Sequence, residues 1–279
     1  MISFPNLGKL GRLGNQLFQI SSTIGIAKTS NQLAIFPEWD YQEFFKHRLP
    51  TAKILVRDIL QEKYCNYQEV KLPEPARPIG LNGYFQSYKY FENSEKEIKK
   101  LFEFSSEIED YISKKYSDTL KECSAFVHVR RGDYETLSSV YESQNIDYYN
   151  DCLNFIGCSK FAVFSDDIDW CKENFSSYNC EFISEREHSK SPTTQDSENE
   201  SQLFLKEDLI EFALMSKFKD SIICNSSFSW WAAHLNNNTN KRVCAPKNWF
   251  TNEHAPKIYN LDNGYDYIKD LIPTSWNLV

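Results

Sequence analysis

Short apolar runs alternate with amphipathic segments along this chain, most clearly in its second half. "AFVHVR" (125–130), "FAVFS" (161–165), "SIIC" (221–224) and "RVCAP" (242–246) are short and apolar, which predicts buried strands. "EDLIEFALMSKFKD" (207–220) carries Leu209, Ile210, Ala213, Leu214 and Phe218 at helical spacing, so it predicts a helix with a core-facing stripe. This rhythm is that of βα units around a largely parallel sheet, an α/β fold.

The first half opens with "MISFPNL", a candidate strand, followed by a glycine-rich turn and the helical pattern "GNQLFQISSTIGIAKTS" (14–30). Three prolines in "KLPEPARPIG" (71–80) interrupt any helix, and "GYFQSYKYFENSEKEIKKLF" (83–102) resumes a helical pattern. The polar tract "SEREHSKSPTTQDSENESQ" (184–202) predicts a mobile surface loop that borders a cleft. A boundary near residue 121, where a charged helical segment meets "AFVHVR", divides the chain into halves 1–121 and 122–279.

Composition narrows the function classes. The chain has 279 residues, 41% of them hydrophobic, and a net charge of −8, which supplies a real core and argues against general affinity for nucleic acid or anionic membranes. No apolar run reaches membrane-span length, and the first residues lack the pattern of a secretory leader, so a cytoplasmic protein is expected. None of the eight cysteines forms a Cys-x-x-Cys pair, which favours buried thiols over disulfides or a zinc site.

Against this acidic background "HVRRGDY" (128–134) stands out. Period two puts His128 and Arg130 on one strand face, and Arg131, Gly132 and Asp133 fall in the turn beyond it. In open α/β sheets ligands bind outside the carboxyl ends of strands, which makes this turn an expected site. Polar residues recur at the same address: Asp166 and Asp167 after "FAVFS", and Asn225, Ser226 and Ser227 after "SIIC", opening the helical pattern "FSWWAAHL". Read separately, Asp167 or Ser226 would be ordinary helix caps. Together, guanidinium groups, helix N-terminal donors and carboxylates suit a nucleoside diphosphate. "GKLGRLGNQ" (8–16) matches neither phosphate-loop pattern, but its Arg12 is a further cation.

The ordered set "GRLGNQLFQ" (11–19), "GYFQSYKYF" (83–91), "HVRRGDY", "FSDD" (164–167) and "EDLIEFALMS…NSSFSWWAAHLN" (207–236) resembles the motifs of the α-1,2-fucosyltransferase family, glycosyltransferase family 11. That resemblance implies a GT-B architecture: two Rossmann-like domains facing a central cleft, residues 122–279 holding GDP-β-L-fucose and residues 1–121 giving most of the acceptor surface. It implies inverting transfer of L-fucose to the 2-hydroxyl of a terminal β-galactoside, with no required cofactor or metal ion. By the same likeness Arg130 and Arg131 contact the diphosphate, His128 and Asp166 or Asp167 read guanine or ribose, and Asn225, Ser226, Ser227 and Phe228 line the phosphate end. Gly14, Asn15 and Gln16 carry over as cleft residues on the donor side. Asp133 is expected to orient Arg131 through a salt bridge, although Asp133, Glu38, Asp40 and Glu43 all stand as candidates for the base. The galactose-terminated acceptor is free or lipid-linked, and the latter allows a peripheral membrane contact.

Other readings are a transferase of another linkage or GDP-sugar, an inactive lectin-like protein, or an adhesion protein using Arg131-Gly132-Asp133. The last requires an exposed tripeptide on a secreted chain, and this one directly follows a predicted buried strand.

Overall fold

The computed structural model describes residues 1–53, 55–72, 77–185, 198–261 and 264–279, with backbone alone over 198–205. In chain order the elements are β1 (Ile2–Ser3), α1 (Leu13–Thr29), β2 (Ala34–Ile35), β3 (Asp58–Gln61), β4 (Ile79–Asn82), α2 (Glu95–Leu101), α3 (Ser106–Lys115), α4 (Ser117–Glu122), β5 (Ala125–Val129), α5 (Gly132–Thr136) and α6 (Ile146–Ile156). They continue with β6 (Phe161–Ser165), α7 (Ile168–Asn174), β7 (Cys180–Ile183), α8 (Glu198–Met215), β8 (Asp220–Ile222), α9 (Ser227–Leu235), β9 (Val243–Ala245), α10 (Ala255–Ile258), α11 (Ile268–Leu271) and β10 (Asn277–Leu278).

Two compact units result, Met1–Glu103 with Asn252–Ser275, and Phe104–Thr251 with Trp276–Val279. The division falls ahead of the expected residue 121 because α3 and α4 group with the second unit, and the chain returns to the first unit near its end. The return segment is anchored inside unit one by Asp270, whose carboxylate is 1% exposed. It accepts from Lys89 Nζ at 2.7 Å and from the Tyr67 amide at 2.7 Å, so this buried charge is both paired and hydrogen-bonded.

Unit one holds a parallel sheet of order β2-β1-β4-β3. Two departures from the sequence reading occur here. β3 and β4 carry no alternation strong enough to announce them, and "GYFQSY" is not helical. Gly83 has φ +147° and Phe85 φ +49°, both incompatible with a helix, and α2 begins only at Glu95.

Unit two holds a six-stranded parallel sheet of order β10-β9-β8-β5-β6-β7. Numbered from β5 onward, this is the strand order 3-2-1-4-5-6 of the doubly wound dinucleotide-binding fold, read from the opposite edge. Every residue of β5 is buried, as expected for a central parallel strand covered on both faces. Ala125, Val127 and Val129 pack with Tyr149, Cys152, Phe161 and Phe175. On the opposite face Phe126 meets Phe218, and His128 meets Phe228. The helix predicted over 207–220 ends earlier, at Met215, and begins at Glu198. Most of the polar tract, 186–197, lies outside the described residues. No helix among the described residues is long and apolar enough to cross a membrane.

Candidate active site

The sheet of unit two reverses direction between β5 and β8. At such a switch point the connections leave to opposite sides and open a crevice at the carboxyl ends of the strands. Arg130 and Arg131 leave β5 there, Asn225 and Ser226 follow β8, and Asp166 and Asp167 end the neighbouring β6. The sequence clusters are therefore brought together by strand order, at three adjacent strand ends.

Asp166 organises the cluster. Its Oδ1 accepts the backbone N–H of Arg131 at 2.9 Å, and its Oδ2 lies 3.1 Å from an Arg130 guanidinium nitrogen. A Cβ on Gly132 would come within 2.5 Å of Asp166 Oδ2, so the missing side chain is what lets this carboxylate approach the turn. Asp167 caps α7 by accepting from the Trp170 amide at 3.1 Å and lies 3.5 Å from Arg131 Nε. That Nε has no hydrogen-bond partner among the described residues, so the contact is electrostatic.

The two arginines are held differently from the expected pattern. Asp133 pairs with Arg130, at 2.8 Å, and not with Arg131. The reason is helical geometry: α5 starts at Gly132, so Asp133 turns back over its first turn towards Arg130, while Arg131 reaches Glu135 at 3.1 Å. The Arg131 guanidinium also lies over the Trp170 ring, 4.5 Å from its centre, a cation–π platform. Burial acts against the charge of Arg130, and Asp166 and Asp133 more than offset it, so its pKa stands above the ordinary arginine value. Both guanidinium groups are mostly buried, whereas Asp133 and Glu135 are about half exposed (46% and 50%) and can turn aside at little cost.

His128 is buried, with Nδ1 3.2 Å from Cys224 Sγ. Burial pushes the Cys224 thiol up to about 12, so it remains a thiol near neutrality. Ser226 is the N-cap of α9 and accepts from Phe228 N–H at 3.4 Å. At the other end of α9 the Lys241 ammonium donates to the carbonyls of Ala233 and Asn236. Asn225 serves the scaffold, since its amide nitrogen donates to the carbonyls of Glu142 and Trp249, at 3.1 and 2.8 Å. Those two donations fix which end of the amide is oxygen, and its Oδ1 has no hydrogen-bond partner among the described residues. Tyr134 ties the two strand ends together by donating to the Asn225 carbonyl at 2.9 Å.

The remaining predicted residues belong to unit one. Arg12 is exposed at the start of α1, and Gly14 is buried in its first turn. Gln16 is committed inside the unit: its amide nitrogen donates to the Gly11 carbonyl at 3.0 Å and its oxygen accepts from Trp39 Nε1 at 2.8 Å. Asn15 Oδ1 accepts from Gln86 Nε2 at 2.5 Å. Glu38 and Asp40 are exposed on either side of buried Trp39, and Glu38 lines a cavity of about 880 Å³ with Ser3, Pro5 and Pro37 at the carboxyl ends of β1 and β2. No group of three or more His, Cys, Asp or Glu side chains among the described residues is arranged to hold a metal ion.

Sequence reasoning missed Trp170, Glu135 and Tyr134. The spacing of Glu135, four residues after Arg131 across a helix start, was the available signal; Trp170 had none until α7 was placed against the turn.

The model of the family described as "Glycosyl transferase family 11" matches residues 7–269. An α-1,2-colitosyltransferase of Escherichia coli is 32% identical, the match covering 84% of this chain and 75% of that protein. A galactoside 2-α-L-fucosyltransferase of Caenorhabditis elegans is 30% identical over 60% of this chain and 53% of its own length. Among solved structures, the NodZ α-1,6-fucosyltransferase soaked with GDP-fucose superposes with a TM-score of 0.54 at 13% identity, covering 84% of this chain and 91% of that one. The fold, with its two parallel-sheet units, is of the GT-B type. With a family match spanning nearly the whole sequence, the chain belongs to glycosyl transferase family 11.

Proposed function

We propose that the protein is an inverting α-1,2-fucosyltransferase that moves L-fucose from GDP-β-L-fucose to the 2-hydroxyl of a terminal β-galactoside. The observation that carries this reading is the pair of mostly buried arginines at the switch point of unit two, beside the N-terminus of α9. Cleaving the sugar–phosphate bond puts charge on the departing GDP while the fucose ring gains oxocarbenium character. Fixed guanidinium groups and N–H donors stabilise that charge more in the transition state than in the ground state. Binding of the diphosphate exchanges the half-exposed carboxylates of Asp133 and Glu135 for phosphate oxygens, and Asp166 keeps the arginines in place throughout. His128 and Asp167 lie towards the nucleoside. Asp133 serves as an exchangeable partner of Arg130. The proton of the acceptor hydroxyl passes to a carboxylate, for which Asp133, Glu38, Asp40 and Glu43 are the candidates.

No divalent metal takes part in this reading, since Asp166 and Asp167 already hold arginines and a helix start. The acceptor is a glycan or the growing unit of a surface polysaccharide, free or lipid-linked. Eight unpaired thiols, several of them buried, support a reducing, cytoplasmic setting.

The test is GDP release from the purified protein with GDP-fucose and a panel of β-galactosides in EDTA, with GDP-mannose as donor control and product linkage read by NMR. Acceptor-dependent release from GDP-fucose and an α-1,2 product support the reading; no GDP binding removes it. A second donor is favoured by the 32% identity to a colitosyltransferase. Activated colitose in the same assay, turned over faster than GDP-fucose, would make that the donor.

A further inference from the structure

The motif "GYFQSYKYF" lies in unit one and carries an unusual backbone. Phe85 is left-handed at φ +49° although it is not glycine, and it is buried, edge-on to Phe4 and Tyr90. A non-glycine residue persists in that conformation only where the surroundings over-determine it, and such positions cluster at ligand sites. Here the determinant is Glu62, the residue after β3. Its two carboxylate oxygens accept the backbone N–H groups of Tyr84 and Phe85 at 2.6 and 3.0 Å. It approaches so closely that a Cβ on Gly83 would lie 2.4 Å from the Glu62 Cβ. Ser22 Oγ holds the Phe85 carbonyl at 2.9 Å, and Gln86 is bonded to Asn15.

What this clasped turn presents is Tyr84. Its neighbour Phe85 is buried, while Tyr84 itself is 40% exposed on a backbone that cannot drift. On the strand side of the turn stand three amides in a row at the carboxyl ends of adjacent parallel strands. Asn6 Nδ2 donates to Asn82 Oδ1 at 3.1 Å, and Asn82 Nδ2 donates to Gln61 Oε1 at 2.6 Å. Gln61 directly precedes Glu62, and Gly83 alone separates Asn82 from Tyr84, so the row and Tyr84 are joined through the clasped stretch of backbone. An amide has both donor and acceptor positions, and this row uses only part of them. Carboxamides and an exposed aromatic residue on one clasped stretch of backbone match a pyranose, which offers hydroxyls on its rim and C–H groups on its face.

We infer that the carboxyl edge of unit one carries a hexoside-binding site in which Tyr84 is the stacking platform, the Asn6–Asn82–Gln61 amides bind hydroxyls, and Glu62 is the positioning residue for the turn. Under the fucosyl-transfer reading the site takes a sugar of the acceptor glycan, an assignment that rests on that reading; the site itself does not depend on it.

The test is saturation-transfer NMR on the full chain with lactose, methyl β-galactoside and methyl α-mannoside, alongside a GDP titration of every variant as control on unit two. Saturation of at least one hexoside is expected, reduced at least about tenfold by Tyr84→Ala and by Asn82→Ala and largely retained by Tyr84→Phe, with GDP affinity unchanged in all three. Glu62→Gln keeps the fold and weakens hexoside binding, because an amide cannot accept from both N–H groups with both of its heavy atoms. Absence of saturation with all three sugars, or equal saturation in wild type and Tyr84→Ala, overturns the site. Loss of hexoside binding in Tyr84→Ala from a protein that does not bind GDP upholds the site and removes only its assignment to the acceptor.

Discussion

Asp166 Oδ2 sits where the first side-chain atom of any residue other than glycine at position 132 would have to be, within 2.5 Å. The same carboxylate holds the Arg131 amide and the Arg130 guanidinium, so the space above Gly132 and the placement of both arginines are one constraint. Gly132→Ala should displace Asp166, cost about 1–3 kcal/mol of stability by overpacking, and lower kcat/KM for the donor by roughly a hundredfold. Thermal unfolding and steady-state kinetics on one preparation check both numbers. A variant that is stable and fully active would separate Asp166 from the chemistry.

Trp170 carries Arg131 on its ring face at 4.5 Å without touching it through a hydrogen bond. Removing that platform in Trp170→Ala should cost about 0.5–2 kcal/mol of donor binding, a rise of roughly 2- to 30-fold in the KM for GDP-fucose. Trp170→Phe should recover most of it. The comparison of the two variants in donor-limited kinetics is decisive, because a loss common to both would indicate packing of α7 instead.

Asp270 is a buried carboxylate paired with Lys89 and bonded to the Tyr67 amide. Asp270→Ala leaves the Tyr67 amide without its acceptor and should destabilise unit one by about 1–3 kcal/mol. Urea unfolding followed by GDP titration should show a lowered midpoint with GDP affinity preserved under native conditions, since Arg130 and Arg131 lie in the other unit.

Glu62 sets a pH dependence. Burial raises its pKa to about 7, against the lowering effect of the Tyr84 and Phe85 N–H groups, from a reference of 4.5. A carboxyl whose folded pKa lies above its unfolded value binds its proton more tightly when folded. Its contribution to stability is therefore complete below pH 4.5 and is lost as pH rises through about 7. Wild type should lose melting temperature between about pH 5 and 8 from this group, and Glu62→Gln should lose less over the same interval. An unchanged slope in the variant would show that Glu62 does not titrate there.

Much of unit two was legible in the sequence because its strands are apolar runs buried on both faces and its polar residues gather at their ends. "AFVHVR", "FAVFS" and "SIIC" register as β5, β6 and β8, and Arg130, Arg131, Asp166, Asp167 and Ser226 converge as expected. Partner choice was not legible. Asp133 pairs with Arg130 because a helix begins at Gly132, which the string "RRGDY" does not announce. Asn225 and Gln16 have the chemistry of ligand contacts, yet the fold uses their amides to fasten Trp249 and Trp39. In unit one β3 is an exposed edge strand with little alternation, and the helical look of "GYFQSYKYF" yields to the left-handed Phe85, a conformation fixed by Glu62 from a distant stretch of chain. Local pattern cannot encode a constraint supplied by a residue that far away in sequence.

The most direct test of the donor site is calorimetric titration of GDP into wild type and Arg131→Lys. A lysine keeps the charge but loses the planar fork and much of the stacking on Trp170. One GDP site in wild type, weakened at least about tenfold by Arg131→Lys and accompanied by loss of most fucosyl transfer, is the predicted result. Equal GDP affinity in the two proteins would contradict the assignment of the switch-point arginines to the diphosphate.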